Sequence, residues 1–212
     1  MSPRRREILA LGGWSFSILP ADIDEQPLVG EDPRAYVRRL AEAKARTAAA
    51  RLAPGSGPAA VVASDTTVSM DGLILGKPAD PAEAFEMLAR LRGRGHQVFT
   101  GVAVLRCQDA RLVAEVCATD VAMRAYTDDE IRAYIASGDP FDKAGAYAIQ
   151  HVGFHPVEGI CGCYPSVMGL PLCTVTRLLA ELGIPPANAV TEACGAGPSR
   201  PCRVYELAAQ RS

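Results

Sequence analysis

"VVASDTTVSMDGLILGKP", Val61 to Pro78, begins as an apolar run and breaks off on Ser64, Asp65, Thr66 and Thr67. Asp-Thr-Thr alone suits a solvated turn, because these side chains hydrogen-bond to nearby backbone. The second half is more regular. Thr66 to Met70 and Leu73 to Leu75 flank Asp71-Gly72, a dipeptide that closes two-residue hairpins. A strand bearing a carboxylate and hydroxyls, then a tight hairpin and a lone Lys77, is the seed from which the fold is read.

Before it, Ser2 and Pro3 predict a helix running to Gly12-Gly13. Arg4, Arg5 and Arg6 crowd its positive end, either as a solvated basic tail or as guanidinium forks that hold polyphosphate together with the exposed N–H groups. "WSFSILPADIDE" alternates as a short strand does and ends in Asp22, Asp24 and Glu25. Asp32 and Pro33 start a helix to about Leu52 that aligns Val37, Leu40 and Lys44 on one face. Lys44 there either snorkels along apolar surface or aims a cation into a cleft.

After it, Asp80, Pro81 and Glu83 cap a helix that ends near Gly93, with Phe85, Leu88 and Leu91 as its buried stripe. "QVFTGVAVL" and "LVAEVCATDVAMRAY" pair antiparallel across "CQDAR". Thr127 and Glu130 form a capping box for a helix that Gly138 ends, and a last helix spans Pro171 to Leu182 before Gly183. "GDPFDKAGAYAIQHVGF" between them gathers Asp142, Lys143 and Gln150. The pattern predicts an α/β class with a mixed twisted sheet flanked by helices. One domain is expected over residues 1–186, interrupted by the "APGSGP" linker. A weakly ordered tail is expected over 187–212, with a strand or short helix at "CRVYELAAQ".

With 212 residues, 49% of them hydrophobic, 22% charged and a net charge of -2, the chain is expected to be an ordinary globular protein rather than a bulk nucleic-acid binder. Neither a bilayer-spanning run nor a signal peptide is found, so the cytoplasm is the expected location. Seven irregularly spaced cysteines predict reduced thiols rather than a disulfide framework, and Cys161 and Cys163 with His155 lack the usual zinc spacing. No GxxxxGK[ST] loop and no GxGxxG strand-turn-helix unit occurs.

The carboxylates Glu25 and Asp65 and the cations Arg4, Arg5, Lys44, Lys77 and Lys143 accompany no strong Ser-His or Cys-His pairing. Together they suggest metal-assisted hydrolysis of a phosphate anhydride. A polyphosphate demands compensating cations, and a hard divalent ion uses one or two carboxylates beside the substrate's phosphates.

"SPRRREIL", "SDTTV" with "GKP", "AEAFEMLARLRGRGHQVFTGV", "YIASGDPFDKAGAYAIQ" and "GCYPSVMGLPL", in that order over about residues 2–183, resemble the successive motifs of the Maf family of nucleoside triphosphate pyrophosphatases. The resemblance implies a Maf/HAM1-like fold with a central cleft, often dimeric. It implies hydrolysis of a nucleoside triphosphate to the monophosphate and pyrophosphate with Mg²⁺ or Mn²⁺. By the same resemblance Asp65 is the proton acceptor, Glu25 and Asp65 hold the metal, and Lys44 and Lys77 complete the catalytic set. Ser2, Arg4, Arg5, Thr66, Asp142, Lys143 and Gln150 bind substrate.

Gln150 resembles the branch acting on dTTP and UTP, and an amide offers both donors and an acceptor to a pyrimidine edge. Two departures qualify this. His151 replaces the usual glycine and brings a ring beside the expected base pocket. Met1 stands where family members carry an apolar strand ending in Ala-Ser, so either the start is assigned late or an interior strand is lacking. The latter favours a rival expectation, a nucleotide-binding regulator of cell division that has lost catalysis. A third expectation is a HAM1-type purine triphosphatase that prefers ITP or XTP.

Overall fold

A computed structural model describes residues 2–52 and 59–190. The "APGSGP" linker and nearly all of the expected tail, including "CRVYELAAQ", lie outside the described residues. Residues 187–190 do not hang free: Ala187 N–H donates to Gly12 O at 3.0 Å, and Val190 is buried beside Ile8.

Five strands form one sheet in the order β2-β1-β3-β4-β5. They are β1 (Ala60–Met70), β2 (Leu73–Leu75), β3 (Gly95–Arg106), β4 (Leu112–Met123) and β5 (Val157–Cys161). All four neighbouring pairs are antiparallel. The α/β class stands, and among the described residues the sheet is antiparallel throughout, without the parallel component expected of a mixed sheet. Asp71 (φ 53°) and Gly72 (φ 79°) close the β1–β2 hairpin as read from the sequence, both in the left-handed region that such a turn requires.

The sequence reading breaks the strand at Ser64, but β1 runs unbroken through it: Asp65 lies opposite Gly101 and Thr66 opposite Thr100. β2 pairs only with Val68 to Met70. Among the described residues β1 is therefore a bare edge from Ala60 to Thr67, and the polar residues sit there.

Alternation along the strands makes two faces. On one, α2 (Pro33–Ala49) lays Ala41 and Ala45 against Ala103 and Leu105, and Val37 and Leu40 against Phe99. Asp32 caps this helix, its side chain accepting from Arg34 and Ala35 N–H. Gly101 makes the approach possible, since a Cβ there would stand 2.3 Å from Val37 O. On the other face two clusters form. α3 (Pro81–Leu91) and α4 (Asp128–Ala136) cover Val68, Met70, Val98 and Val121. α1 (Pro3–Ala10) and α6 (Leu172–Glu181) cover Val102 and Val104. A short α5 (Tyr164–Val167) lies between β5 and α6.

The strand expected at "WSFSILPADIDE" is not formed. Trp14 instead donates to Pro185 O at 3.1 Å, while Phe16, Ile18 and Leu19 are exposed on an extended segment with no ladder partner among the described residues. Alternation says which side chains could share a face, but only a neighbouring strand makes a ladder.

The α4 capping box forms as read. Thr127 Oγ1 accepts from Glu130 N–H, and Glu130 accepts from Thr127 N–H at 2.7 Å. The Glu130 carboxyl is pushed down from its ordinary 4.5 to about 2, first by the Arg124 guanidinium that donates to it at 2.7 Å and then by the Thr127 N–H. A carboxyl lowered in the folded state contributes stability above its unfolded pKa and loses that contribution as pH falls through the folded one. Urea midpoints will therefore decline between about pH 4.5 and 2, and Glu130→Gln will flatten that decline without changing the neutral-pH slope.

Candidate active site

β1, α2 and the segment leading into α2 bring two acids to one cation. Lys44 Nζ lies 2.6 Å from Asp65 Oδ1 and 2.5 Å from Glu25 Oε1. Asp65 is 7% exposed, so its charge needs this partner, and Lys44 reaches it along the apolar face of α2. Glu25 is held from behind, its carbonyl accepting from the Tyr36 hydroxyl at 2.8 Å. Burial works against ionising Glu25, but the Lys44 hydrogen bond and charge, followed by Lys77 and Arg5, outweigh it and hold the carboxyl below its ordinary value. Burial first, and then the charges of Asp65 and Glu25, push the Tyr36 phenol up to about 12.

α1 supplies the second part. Arg5 donates to Ser64 O at 2.8 Å and to Thr66 Oγ1 at 3.1 Å, while its Nε is buried without a partner. Burial lowers the guanidinium pKa, opposed by Asp65 and Glu25. Thr66 Oγ1 is 2.8 Å from Thr100 Oγ1, which donates to Ser166 O at 2.8 Å, and Ser64 Oγ donates to Gly169 O at 3.0 Å. Gly169, at φ 103°, lies so near Arg5 that a Cβ would come within 2.7 Å of its Nε. Arg5 is thus not a solvated tail residue but a strut between α1, β1 and the turn before α6.

The loop after α4 supplies the third. Lys143 Nζ binds Asp139 Oδ1 at 2.9 Å and Asp142 Oδ1 at 2.5 Å. Gly145 N–H donates to Gly76 O at 2.9 Å, tying this loop to the Gly76-Lys77-Pro78 step.

These parts enclose a cleft of about 630 Å³ along the bare β1 edge. Ser2, Arg4, Arg5, Glu25, Lys44, Asp65, Thr66, Lys77, Asp142 and Lys143 all line it, so ten residues scattered over the sequence meet there. Gln150 does not line it. It is exposed, and the chain contributes Ile149 in its place. The ring of His151 is also directed elsewhere: it packs on Tyr134 at 4.7 Å, and its Nδ1 accepts from Phe154 N–H at 2.9 Å. The sequence reading gives no site role to Ser64, Thr100, Ser166, Tyr36 or Tyr147; all but Tyr36 find a partner 51 or more residues away.

A row of cations facing two carboxylates suits an anionic substrate with several charges. Among the described residues no group of three or more His, Cys, Asp or Glu side chains is placed to hold a metal. Glu25 and Asp65 nonetheless already share one cation, the Lys44 ammonium, and their hard oxygens fit a divalent ion that draws its other ligands from substrate phosphates.

Comparison with known proteins gives the family to which the chain belongs. The family model described as Maf-like protein matches residues 1–182. A dTTP/UTP pyrophosphatase of Geobacter sp. (strain M21) is 48% identical over 182 residues, 86% of this chain and 92% of the relative. One from Myxococcus xanthus (strain DK1622) is 48% identical over 184 residues, 87% and 90% of the two chains. Another, from Chlorobium phaeovibrioides, is 46% identical over 182 residues, 85% and 93%. The matched span, which runs from the arginines of α1 to the end of α6, and the identity to these relatives make this chain a member of the Maf family.

Proposed function

We propose that the protein is a hydrolase that cleaves dTTP and UTP to the nucleoside monophosphate and pyrophosphate. The observation that carries this reading is the pair of carboxylates sharing Lys44 inside a cleft ringed by Arg4, Arg5, Lys77 and Lys143. The shared name of the relatives supports the substrate.

In this reading Asp65 orients a water for attack on the α-phosphorus and accepts its proton. The new O–P bond forms as the bond to the β-phosphate oxygen breaks, and pyrophosphate leaves against the arginines and lysines. Lys44, 2.6 Å from Asp65 Oδ1, holds the carboxylate in place. Arg5 fixes Thr66, and Lys143, itself held by Asp139 and Asp142, faces the phosphates. Mg²⁺ or Mn²⁺ held by Glu25 and Asp65 would neutralise phosphate charge and polarise the attacking water. Family membership also supports a homodimer working in the cytoplasm on a free nucleotide rather than on nucleic acid. Among the described residues no helix is long and apolar enough to cross a membrane.

Pyrophosphate release over a panel of dTTP, UTP, ITP, XTP and the other common triphosphates, with Mg²⁺ or Mn²⁺, tests this. Turnover highest on dTTP and UTP is the expected result. Preference for ITP or XTP would assign the purine-type reading, and tight binding with no turnover would assign the regulator.

A further inference from the structure

The strongest unused chemistry beside the cleft belongs to His96. It sits in β3 at 5% exposure, its Nε2 is 2.7 Å from the Tyr147 hydroxyl, and its Nδ1 is buried without a partner. Whichever tautomer is present, the second ring nitrogen is unmatched, so the imidazole's one polar contact is Tyr147. An apolar ring would fill the same space with no such penalty.

Tyr147 in turn follows a strained turn. Ala146 is fully buried at φ 61°, a left-handed backbone that costs a residue with a side chain and persists only where its surroundings over-determine it. Three bonds do so. Gly145 N–H donates to Gly76 O at 2.9 Å, Ala148 N–H donates to the Tyr134 hydroxyl at 3.0 Å, and between them stands the His96–Tyr147 contact. The same turn connects Asp142 and Lys143 to Ile149, all of which line the cleft, as Tyr147 itself does.

We propose that His96 is a positioning residue for nucleotide binding: through Tyr147 it locks the left-handed turn at Ala146, and so sets Asp142, Lys143 and Ile149 against the substrate. This rests on the hydrolase reading above. Burial pushes the His96 imidazole down to about 4, so it stays neutral and the bond holds throughout the neutral range. The contact acts on binding rather than on bond cleavage, because no reacting atom meets His96.

The test compares His96→Phe, Tyr147→Phe, their double variant and His96→Gln. It uses steady-state kinetics with dTTP and hydrogen exchange of the amides from 143 to 149. Tyr147→Phe removes one oxygen and leaves the packing intact. Each Phe variant is expected to raise KM about three- to tenfold, with kcat within about twofold and faster exchange in that segment. The double variant is expected to match the singles, since both remove one bond. His96→Gln, whose amide can restore the bond, is expected to return KM to within about twofold of the parent. Unchanged KM and exchange in Tyr147→Phe overturns the proposal. So does a loss confined to kcat, or effects that multiply in the double variant. A parent protein that releases no pyrophosphate from any triphosphate overturns the hydrolase reading instead. The exchange measurement then still decides the anchoring role.

Discussion

Asp65→Asn will lower pyrophosphate release from dTTP by about a thousandfold or more, within the range over which a positioned general base contributes. The substitution is nearly isosteric, and the amide oxygen can still accept from Lys44, so the fold is preserved. The loss therefore reports on chemistry. Binding of dTTP without a divalent ion will survive, because removing a negative charge from a cleft that takes a polyanion lessens repulsion, and calorimetry in the absence of Mg²⁺ and Mn²⁺ will give an affinity equal to or tighter than the parent's. A variant that kept more than a tenth of parental turnover would show that the base lies elsewhere, with Glu25 the next candidate since it shares the same ammonium.

Gly101→Ala carries the second large effect, on stability and activity together. The added methyl carbon would lie 2.3 Å from Val37 O and 2.6 Å from Val37 C, both backbone atoms of α2 that no side-chain rotation can move. The helix must retreat from β3, at a cost of about 1–3 kcal/mol typical of overpacking. Lys44 rides on that helix, and Asp65 lies directly across from Gly101 in the β1–β3 register. A displacement of about 1 Å in catalytic geometry can cost about a hundredfold in rate. The expected result is a lower urea midpoint together with a kcat reduced by about that factor at temperatures where the variant is fully folded. Normal kcat in a folded variant would mean that Lys44 does not need its present distance from Asp65.

Much of this was legible in the sequence where local chemistry decides local structure. Asp32 before Pro33, Thr127 with Glu130, and Asp71-Gly72 each fix a cap or turn through atoms a few residues apart, and each forms as read. Lys44 stood out because a charge in line with Val37 and Leu40 needs a destination. The hydroxyl chain from Thr66 through Thr100 to Ser166 O was invisible, since threonine in a strand is ordinary and its partners are 34 and 66 residues away. The strand at residues 14–25 was misread because alternation cannot supply the absent neighbour. Gln150 belongs to the base pocket by resemblance alone, and nothing local in the sequence says that Ile149 rather than Gln150 lines the cleft.

The bonds from Arg5 to Ser64 and from Ser64 to Gly169 span 59 and 105 residues, whereas β3 and β4 are joined by a short connection. Closing long loops loses chain entropy before their contacts form, so the β3–β4 ribbon is expected to condense early and the cleft to be among the last parts to assemble. Late-formed contacts are also the ones whose loss chiefly governs unfolding rate. A nucleotide that bridged α1, β1 and the Lys143 loop would therefore prolong the lifetime of the native state more than it hastened the chain's arrival there.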